Sequence, residues 1–314
     1  MVRRAARTTR YRGVGEFGVS DDPASTPETL GVVVVTHNSA AIVSDCLASI
    51  SAASSEVASL TLAVVDSGSS DGSLEAASAA APDAVTLSLG SNAGYAAGIN
   101  AGVRALGPTD AVLVLNPDIR LEADSLRALR SALAVAGTGI AVPRIVDERG
   151  TVQYSLRRRP TFLRAVGEAV VGGTRAGRVS AMGEMIVDEA TYDRPGVVDW
   201  ATGAAMLISR TCLDKVGAWD ESFFLYSEET DFALRAADAG FSVRYVPEAS
   251  VVHLGGEAMT SPRLYALLTM NRLELYRRHH SRLASAFYRG ALALGEVLRA
   301  PFARTHRAAL RALI

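Results

Sequence analysis

Asp118 lies in the stretch VLVLNPDIRL (Val112–Leu121), where four apolar residues give way to Asn116-Pro117-Asp118. A short apolar run ended by a turn signal suits a strand covered on both faces. Pro117 has no N–H for a ladder and holds Asn116 extended. Asp118 therefore emerges at the carboxyl end of a central strand, where open α/β sheets hold their ligands. A carboxylate there suits a divalent cation shared with a diphosphate, because hard cations take oxygen ligands. Standing alone, the motif is better explained as a turn. His253, after Val251-Val252 and before Gly255-Gly256, is placed to complete a metal site with Asp118.

Glu228 and Glu229 lie in WDESFFLYSEETD (219–231). Adjacent acids at a helix start are favoured by the macrodipole and need no chemistry. Flanking Phe223, Phe224 and Tyr226, however, predict a partly apolar cleft, in which a carboxylate is tuned as general base for a hydroxyl. Asp231 and Arg235 have the spacing of a helix pair. Asp66 ends an apolar run before a Ser/Gly-rich turn containing Gly68. A carboxylate there can accept hydrogen bonds from a nucleobase or ribose while nearby N–H groups face an anion; a turn residue, with Asp71 capping the next helix, explains it as well. Asn92-Ala93-Gly94-Tyr95-Ala96-Ala97-Gly98-Ile99-Asn100 is a second glycine-containing junction. Its glycines would admit a ligand close to backbone, although helix-on-sheet packing accounts for Gly98 equally. The dinucleotide fingerprint is absent, since the first strand runs into Thr36-His37-Asn38-Ser39. That argues against an oxidoreductase.

These residues need a scaffold. Strands are expected at 31–36, 60–65, 84–89 and 112–115, alternating with helices from Ile42, at 74–81, 95–106 and 123–135, the pattern of a parallel, doubly wound sheet. Beyond Ile140 the rhythm changes: short extended pieces are expected at 140–143, 151–159, 200–209, 241–246 and 251–254. Helices are expected at 211–216, at 228–239 with Ser227 as cap, and from Pro262 with a break near Pro301. Residues 160–196 read as a mobile, partly helical insertion.

The chain has 314 residues with 49% hydrophobic and 21% charged, enough for a full core. A net charge of -1 argues against a nucleic-acid partner. Charge is uneven: five arginines crowd the first twelve residues, and ten from Arg263 onward face only Glu274 and Glu296. Residues 1–29 read as a flexible basic tail. Cys46 and Cys212 read as buried thiols of a reducing compartment. With no secretory core and no run of about 18 apolar residues, the expected location is the cytoplasm.

Taken together and in order, VVVVTHNSA, VVDSGSSDGS, SNAGYAAGIN, VLNPD, ATGAAMLISR, VGAWDESFFLYSEETDFALRAADAGF and VVHLGG resemble the family 2 glycosyltransferases of the GT-A fold, in particular bacterial rhamnosyltransferase-like members. The resemblance implies a Rossmann-like, mostly parallel sheet over 30–260, with a nucleotide-binding half (30–143), an acceptor-binding half (144–260) and a helical extension (261–314). It implies nucleotide-sugar contacts from Thr36, His37, Asn38, Asp66, Gly68, Asn92, Gly94, Gly98, Asn100 and Asn116. Asn116-Pro117-Asp118 stands at the family's Asp-x-Asp motif, with Asn116 in place of the first acid. Asp118 and His253 would hold Mg²⁺ or Mn²⁺. Glu229 falls at the base position, with Glu228 beside it as the other candidate. Trp200, Thr202 and Gly203 would line the acceptor side. Gln153 and Arg157–Arg159 are candidates for an acceptor diphosphate, although three consecutive arginines more often form a solvated surface.

The implied reaction is inverting transfer of a sugar, best L-rhamnose from dTDP-rhamnose, to a lipid-linked or polysaccharide acceptor in cell-envelope synthesis. The alternatives are a UDP- or GDP-sugar donor, and a non-catalytic nucleotide-sugar-binding or scaffold protein. Leu264, Leu267, Leu268, Leu275, Phe287, Leu294 and Leu298 among arginines suit a second subunit, and better an anionic membrane on whose inner face the chain would lie peripherally.

Overall fold

The computed structural model describes residues 26–54, 57–255 and 261–314. The first half alternates β1 (Thr29–Thr36), α1 (Val43–Ala53), β2 (Ser59–Asp66), α2 (Ser73–Ala80), β3 (Val85–Ser88), α3 (Tyr95–Leu106) and β4 (Ala111–Leu115). Then come β5 (Ile119–Leu121), α4 (Ser125–Leu133), β6 (Thr138–Val146), β7 (Leu156–Arg157), α5 (Phe162–Val171), α6 (Gly173–Gly177) and α7 (Glu189–Tyr192). Next are β8 (Gly196–Val198), β9 (Trp200–Ala201), β10 (Ala205–Ser209), α8 (Arg210–Val216), α9 (Glu228–Asp238) and β11 (Ser242–His253). Helices α10 (Pro262–His279), α11 (Arg282–Arg299) and α12 (Arg304–Leu313) complete the description.

Among the described residues nine strands form one sheet in the order β3-β2-β1-β4-β10-β6-β11-β5, with β8 on β11. Strands β3, β2, β1 and β4 run parallel, whereas β10 runs antiparallel to both its neighbours. The sheet is thus mixed rather than wholly parallel. Both faces are covered: Val32 and Val34 of β1 pack with α1, α2 and α4, while Val33 and Val35 pack with α3 and α9. Burial on both sides is why these strands read as continuous apolar runs.

Several expected boundaries move. Strand β6 crosses the expected division at residue 143, so one sheet serves both halves. The pieces expected at 241–246 and 251–254 are one strand, β11, with a register shift between Val246 and Ser250. The 200–209 piece is split at Thr202–Ala204 into β9 and β10, and 151–159 keeps only β7. Residues 160–196 hold α5, α6 and α7, and α5 packs on α11. The last helices break at His280-Ser281 as well as near Pro301. Of the expected basic tail, residues 1–25 lie outside the described residues, and Glu28 and Thr29 are tied by their N–H groups to Asp110.

Helix α3 sits tightly on β1. A Cβ on Gly98 would lie 2.5 Å from Val35 Cγ1, and one on Gly102 2.4 Å from Val33 Cγ1. Gly98 therefore serves the close packing of α3 on β1. Gly98→Ala should cost about 1–3 kcal/mol by overpacking, read as a lowered Tm in thermal unfolding.

Candidate active site

The sheet order places a topological switch at β1, because the chain goes to β2 on one side and returns to β4 on the other. Ligands of open α/β sheets lie outside the carboxyl ends of strands at such a point. Three loops meet there. Thr36 and Asp66 are partners in the β1–β2 register, and Thr36 Oγ1 donates to Asp66 Oδ1 at 3.1 Å. Ser69 N donates to Asp66 Oδ2 at 3.0 Å, so the buried carboxylate is fixed from two sides. His37 Nδ1 reaches Ser67 O at 2.8 Å, and Asn38, in a left-handed conformation, accepts from Ser70 N at 3.0 Å. Asn92 Oδ1 accepts from Ser67 Oγ and Gly94 N. Gly68 has φ +68°, and a Cβ there would meet Ser91 backbone at 2.5 Å.

Two expected nucleotide contacts have other duties. Asn100 is buried, and its side-chain amide clamps both backbone groups of Trp219 at 2.9 Å. Gly94, at φ +91°, presses on the loop before α9: a Cβ there would lie 2.2 Å from Phe224 O. Tyr95 N donates to that same oxygen at 3.0 Å.

That loop carries the acids. Tyr226 and Ser227 both have positive φ, 71° and 75°, which is unfavourable for residues with a Cβ. Asn271 of α10 holds them by donating to Leu225 O at 2.9 Å and Tyr226 O at 3.1 Å. Ser227 occupies the cap position of α9 without a side-chain capping bond, contrary to expectation. The Asp231–Arg235 pair forms as expected, at 2.7 Å.

Glu228 is buried, and its Oε2 has no hydrogen-bond partner. Burial, and then the charge of Glu229, pushes its pKa well above the ordinary range. Glu229 is also raised by burial, opposed by its backbone N–H and by Arg157. The two differ in what they face. Glu229 packs on the acceptor-side candidates, since a Cβ on Gly203 would lie 3.1 Å from Glu229 Cβ. Tyr95, whose hydroxyl donates to Gly203 O at 3.1 Å, joins the groups: burial raises its pKa, followed by the charges of Glu228, Asp118 and Glu229. The charges of Glu228, Asp118 and Glu229 thus all bear on one tyrosine.

Asp118 Oδ2 lies 3.3 Å from His253 Nε2, and Asp118 Oδ1 is buried without a partner. Gln153 Nε2 donates to His253 O at 2.9 Å, which turns its carbonyl oxygen toward His253 Nδ1, also at 2.9 Å. His253 Nδ1 is thereby held by Gln153, and Nε2 faces the Asp118 carboxylate. An imidazole nitrogen and a carboxylate oxygen held face to face suit a cation between them. Among the described residues no three His, Cys, Asp or Glu side chains converge as a closed metal cage. Asp118 and His253 nevertheless fit a cation that takes its remaining oxygens from a substrate diphosphate. A Cβ on Gly255 would fall 2.6 Å from His253 Nε2 and 2.7 Å from Asp118 Oδ2, so a side chain there would fill the place.

Of the residues expected on the acceptor side, Trp200 is buried and donates from Nε1 to Arg158 O at 3.0 Å, and Thr202 N donates to Ser155 O at 3.0 Å. Asn116 is held through its backbone N–H to Ala204 O at 2.9 Å. The arginines at 157–159 do not form a solvated surface. Arg158 donates to the carbonyls of Gly177, Gly183 and Met185, Arg159 N donates to Asp199, and Arg157 lies over Trp200 at 5.9 Å. Sequence reasoning missed Tyr95, and gave Gln153 to an acceptor when its amide orients His253. Cys46 is a buried free thiol pushed up to about 12 by burial, as the sequence led us to expect.

A family model described as "Glycosyltransferase like family 2" matches residues 27–286. The chain belongs to the family 2 glycosyltransferases. An N-acetylglucosaminyl-diphospho-decaprenol L-rhamnosyltransferase of Mycobacterium tuberculosis is 33% identical over 239 residues, covering 72% of this chain and 76% of that one. The rhamnosyltransferase WbbL of Escherichia coli is 29% identical over 148 residues, covering 46% and 52%. The fold matches a mannosyltransferase of Pyrobaculum calidifontis, solved in complex with GDP-Man and Mn2+, with TM-score 0.56, 16% identity and coverage of 95% and 89%. The glycosyltransferase therefore has the GT-A fold that its motifs implied. A purely structural scaffold role gives way to an enzyme of this family.

Because the folded pKa of Glu228 is raised, its protonated form contributes stability that is complete below the ordinary value of 4.5 and lost as pH rises through the folded value. Glu228→Gln should therefore raise Tm at neutral pH by about 2 °C or more. The gain should shrink toward zero as pH falls below 4.5 in a series of melts.

Proposed function

We infer that this family 2 enzyme is an inverting, metal-dependent rhamnosyltransferase that moves L-rhamnose from dTDP-rhamnose to a lipid-linked saccharide in cell-envelope synthesis. The observation that supports the catalytic part is Glu229 packed on Gly203, whose carbonyl oxygen accepts from the Tyr95 hydroxyl next to the Asn92–Gly94 turn, together with Asp118 facing His253 at 3.3 Å. The two relatives named as rhamnosyltransferases support the sugar, and the diphospho-decaprenol in one relative's name supports a polyprenyl-diphosphate acceptor.

In this reading the loops of Thr36–Asn38, Asp66–Gly68 and Asn92 receive the nucleotide, with Asp66 toward base or ribose. Asp118 and His253 would hold Mg²⁺ or Mn²⁺. A bound divalent cation supplies neutralisation of the charge that grows on the departing diphosphate. Glu229, packed on Gly203, takes the proton of the acceptor hydroxyl as that oxygen attacks the anomeric carbon opposite the nucleotide. Glu228 stays protonated, because burial and the neighbouring charge both disfavour its ionisation. Arg157 partly offsets the effect of burial on Glu229, keeping the base available. Trp200 and Thr202 border the acceptor. No helix among the described residues is long and apolar enough to cross a membrane, so reaching a lipid-linked acceptor calls for peripheral attachment at the inner face of the membrane.

Glu229→Gln should lower kcat by about 10²–10⁴ while leaving the donor KM little changed. Full activity in Glu229→Gln with a dead Glu228→Gln would move the base to Glu228. Asp118→Ala should abolish the response to added Mn²⁺. With a base of raised pKa, the acidic limb of kcat/KM should lie above the ordinary carboxylate range, with activity rising as pH rises. Product mass spectrometry with dTDP-, UDP- and GDP-sugars tests the donor; a product formed from UDP- or GDP-sugars alone would overturn rhamnose.

A further inference from the structure

The acceptor reading asks where the enzyme would touch a membrane, and the helices outside the sheet give a specific answer. Helices α5 and α11 pack together through Ala165, Ala169, Tyr288 and Gly295. Their other faces are apolar and, among the described residues, uncovered. On α11, Leu283, Phe287, Leu294 and Leu298 are 69%, 58%, 44% and 48% exposed, and their spacing places them on one stripe. On α5, Phe162, Leu163 and Val170 are exposed as well, and the Phe162 ring meets the Phe287 ring at 6.1 Å, joining the stripes. Phe302, just past α11, is 86% exposed. A contiguous patch of large apolar side chains marks an interaction surface, whereas scattered ones would not.

The charge around the patch selects the partner. Across α5, α6, α11 and α12 the acids are Glu168 and Glu296 alone. Both are turned inward: Glu168 pairs with Arg272 at 2.8 Å, and Glu296 with His306 at 2.7 Å. The exposed charges of these helices are arginines, at 175, 178, 282, 304, 307 and 311. Beside the stripe, a cleft of about 750 Å³ is lined by Arg277, Arg282 and Arg289, and by Ala286 and Gly290 of α11, neighbours of Leu283 and Phe287 on the helix. A second copy of this chain fits poorly, because a two-fold contact sets the same patch against itself and brings arginines against arginines. An apolar face edged by arginines that have no acidic partner among the described residues suits an anionic lipid surface, with Arg289 of the cleft donating to Leu313 O and Ile314 O.

We propose that α5 and α11 dock this enzyme onto an anionic phospholipid bilayer, with the Leu283–Phe287–Leu294 stripe entering the headgroup region and the arginine-lined cleft taking lipid phosphates. The proposal rests on the lipid-linked acceptor for its purpose, but its test does not. The same helices reach the catalytic loop: α10, packed on α11 and α12, bears Asn271, which holds Leu225 and Tyr226.

The test is flotation of the full chain with vesicles of phosphatidylcholine alone and of phosphatidylcholine and phosphatidylglycerol in equal parts, alongside transfer from dTDP-rhamnose to a short-chain, water-soluble acceptor. The wild type should bind the anionic vesicles about tenfold better than the neutral ones, and lose that preference at high salt. Leu283→Glu/Phe287→Glu should reduce binding about tenfold or more with an unchanged Tm and unchanged transfer to the soluble acceptor. Leu163→Glu/Val170→Glu, on the other helix, should do the same. Wild type that ignores anionic vesicles, or double variants that bind like wild type, would overturn the docking and leave the transferase reading intact. Vesicle binding without transfer from any nucleotide sugar would instead overturn the transferase reading alone. Wild-type dimerisation lost in the same variants would assign the face to a second copy and overturn the proposal.

Discussion

Two consecutive side-chain-bearing residues in the left-handed region, Tyr226 and Ser227, deliver both glutamates into the cleft, and the rest of the molecule is arranged to hold that turn. Each such residue costs on the order of 1–3 kcal/mol and persists only where its surroundings over-determine it. The surroundings come from three directions. Helix α3 contributes Tyr95 N–H on Phe224 O and the missing side chain of Gly94; Asn100, one helix face on, clamps Trp219. Trp219 stacks on Phe232 of α9 at 4.6 Å, and Asn271 of α10 holds the carbonyls of Leu225 and Tyr226. A relaxed turn would free the first residues of α9 and withdraw the carboxylates from one another and from Gly203.

The turn explains why the helical extension belongs to the catalytic unit. Arg272, next to Asn271, bridges Glu168 of α5 at 2.8 Å and Glu184 at 3.0 Å. Burial alone would drive the guanidinium and both carboxylates toward neutrality. The two acids keep Arg272 charged, its pKa raised well above the ordinary value, and Glu168 is held ionised in return. Buried pairs of this kind add little net stability against an apolar core of the same shape, but removing one partner strands the others. What the cluster supplies is orientation: it fixes α10 against α5, and so fixes Asn271 under the turn.

How much of this was legible in the sequence follows from what a sequence encodes. Helix α3 is found at the expected residues, 95–106, because glycines and apolar residues alternate there on one face against β1. Strand direction is not encoded: Ala205–Ser209 is as apolar as its parallel neighbours, yet it runs against them. Pro247 between Val246 and Ser250 reads as a break, but on a strand with a register shift it is accommodated as an irregularity, so two expected pieces are one. The three arginines at 157–159 read as solvated surface because the carbonyls of Gly177, Gly183 and Met185 that receive Arg158 come from a distant, weakly patterned segment. The positions of the acids were legible because Asp66 ends a strand, Asp118 lies in the turn after one, and Glu228 and Glu229 open a helix. Gln153 was not, because its role depends on His253, 100 residues away.

The departures from the Asp-x-Asp and Glu-Asp patterns are best understood as one electrostatic problem. Asn116 removes a negative charge from the strand end, while Glu228 and Glu229 keep two carboxyl groups at the opposite wall, both with pKa values raised by burial. Neighbouring carboxyls resist a second ionisation, so each glutamate opposes the charge of the other. His253, whose Nδ1 is held by Gln153 and whose Nε2 faces Asp118, offers a ligand that adds no negative charge. Asn116 and His253 together thus supply polarity around Asp118 without adding a negative charge that would raise the glutamate pKa values further.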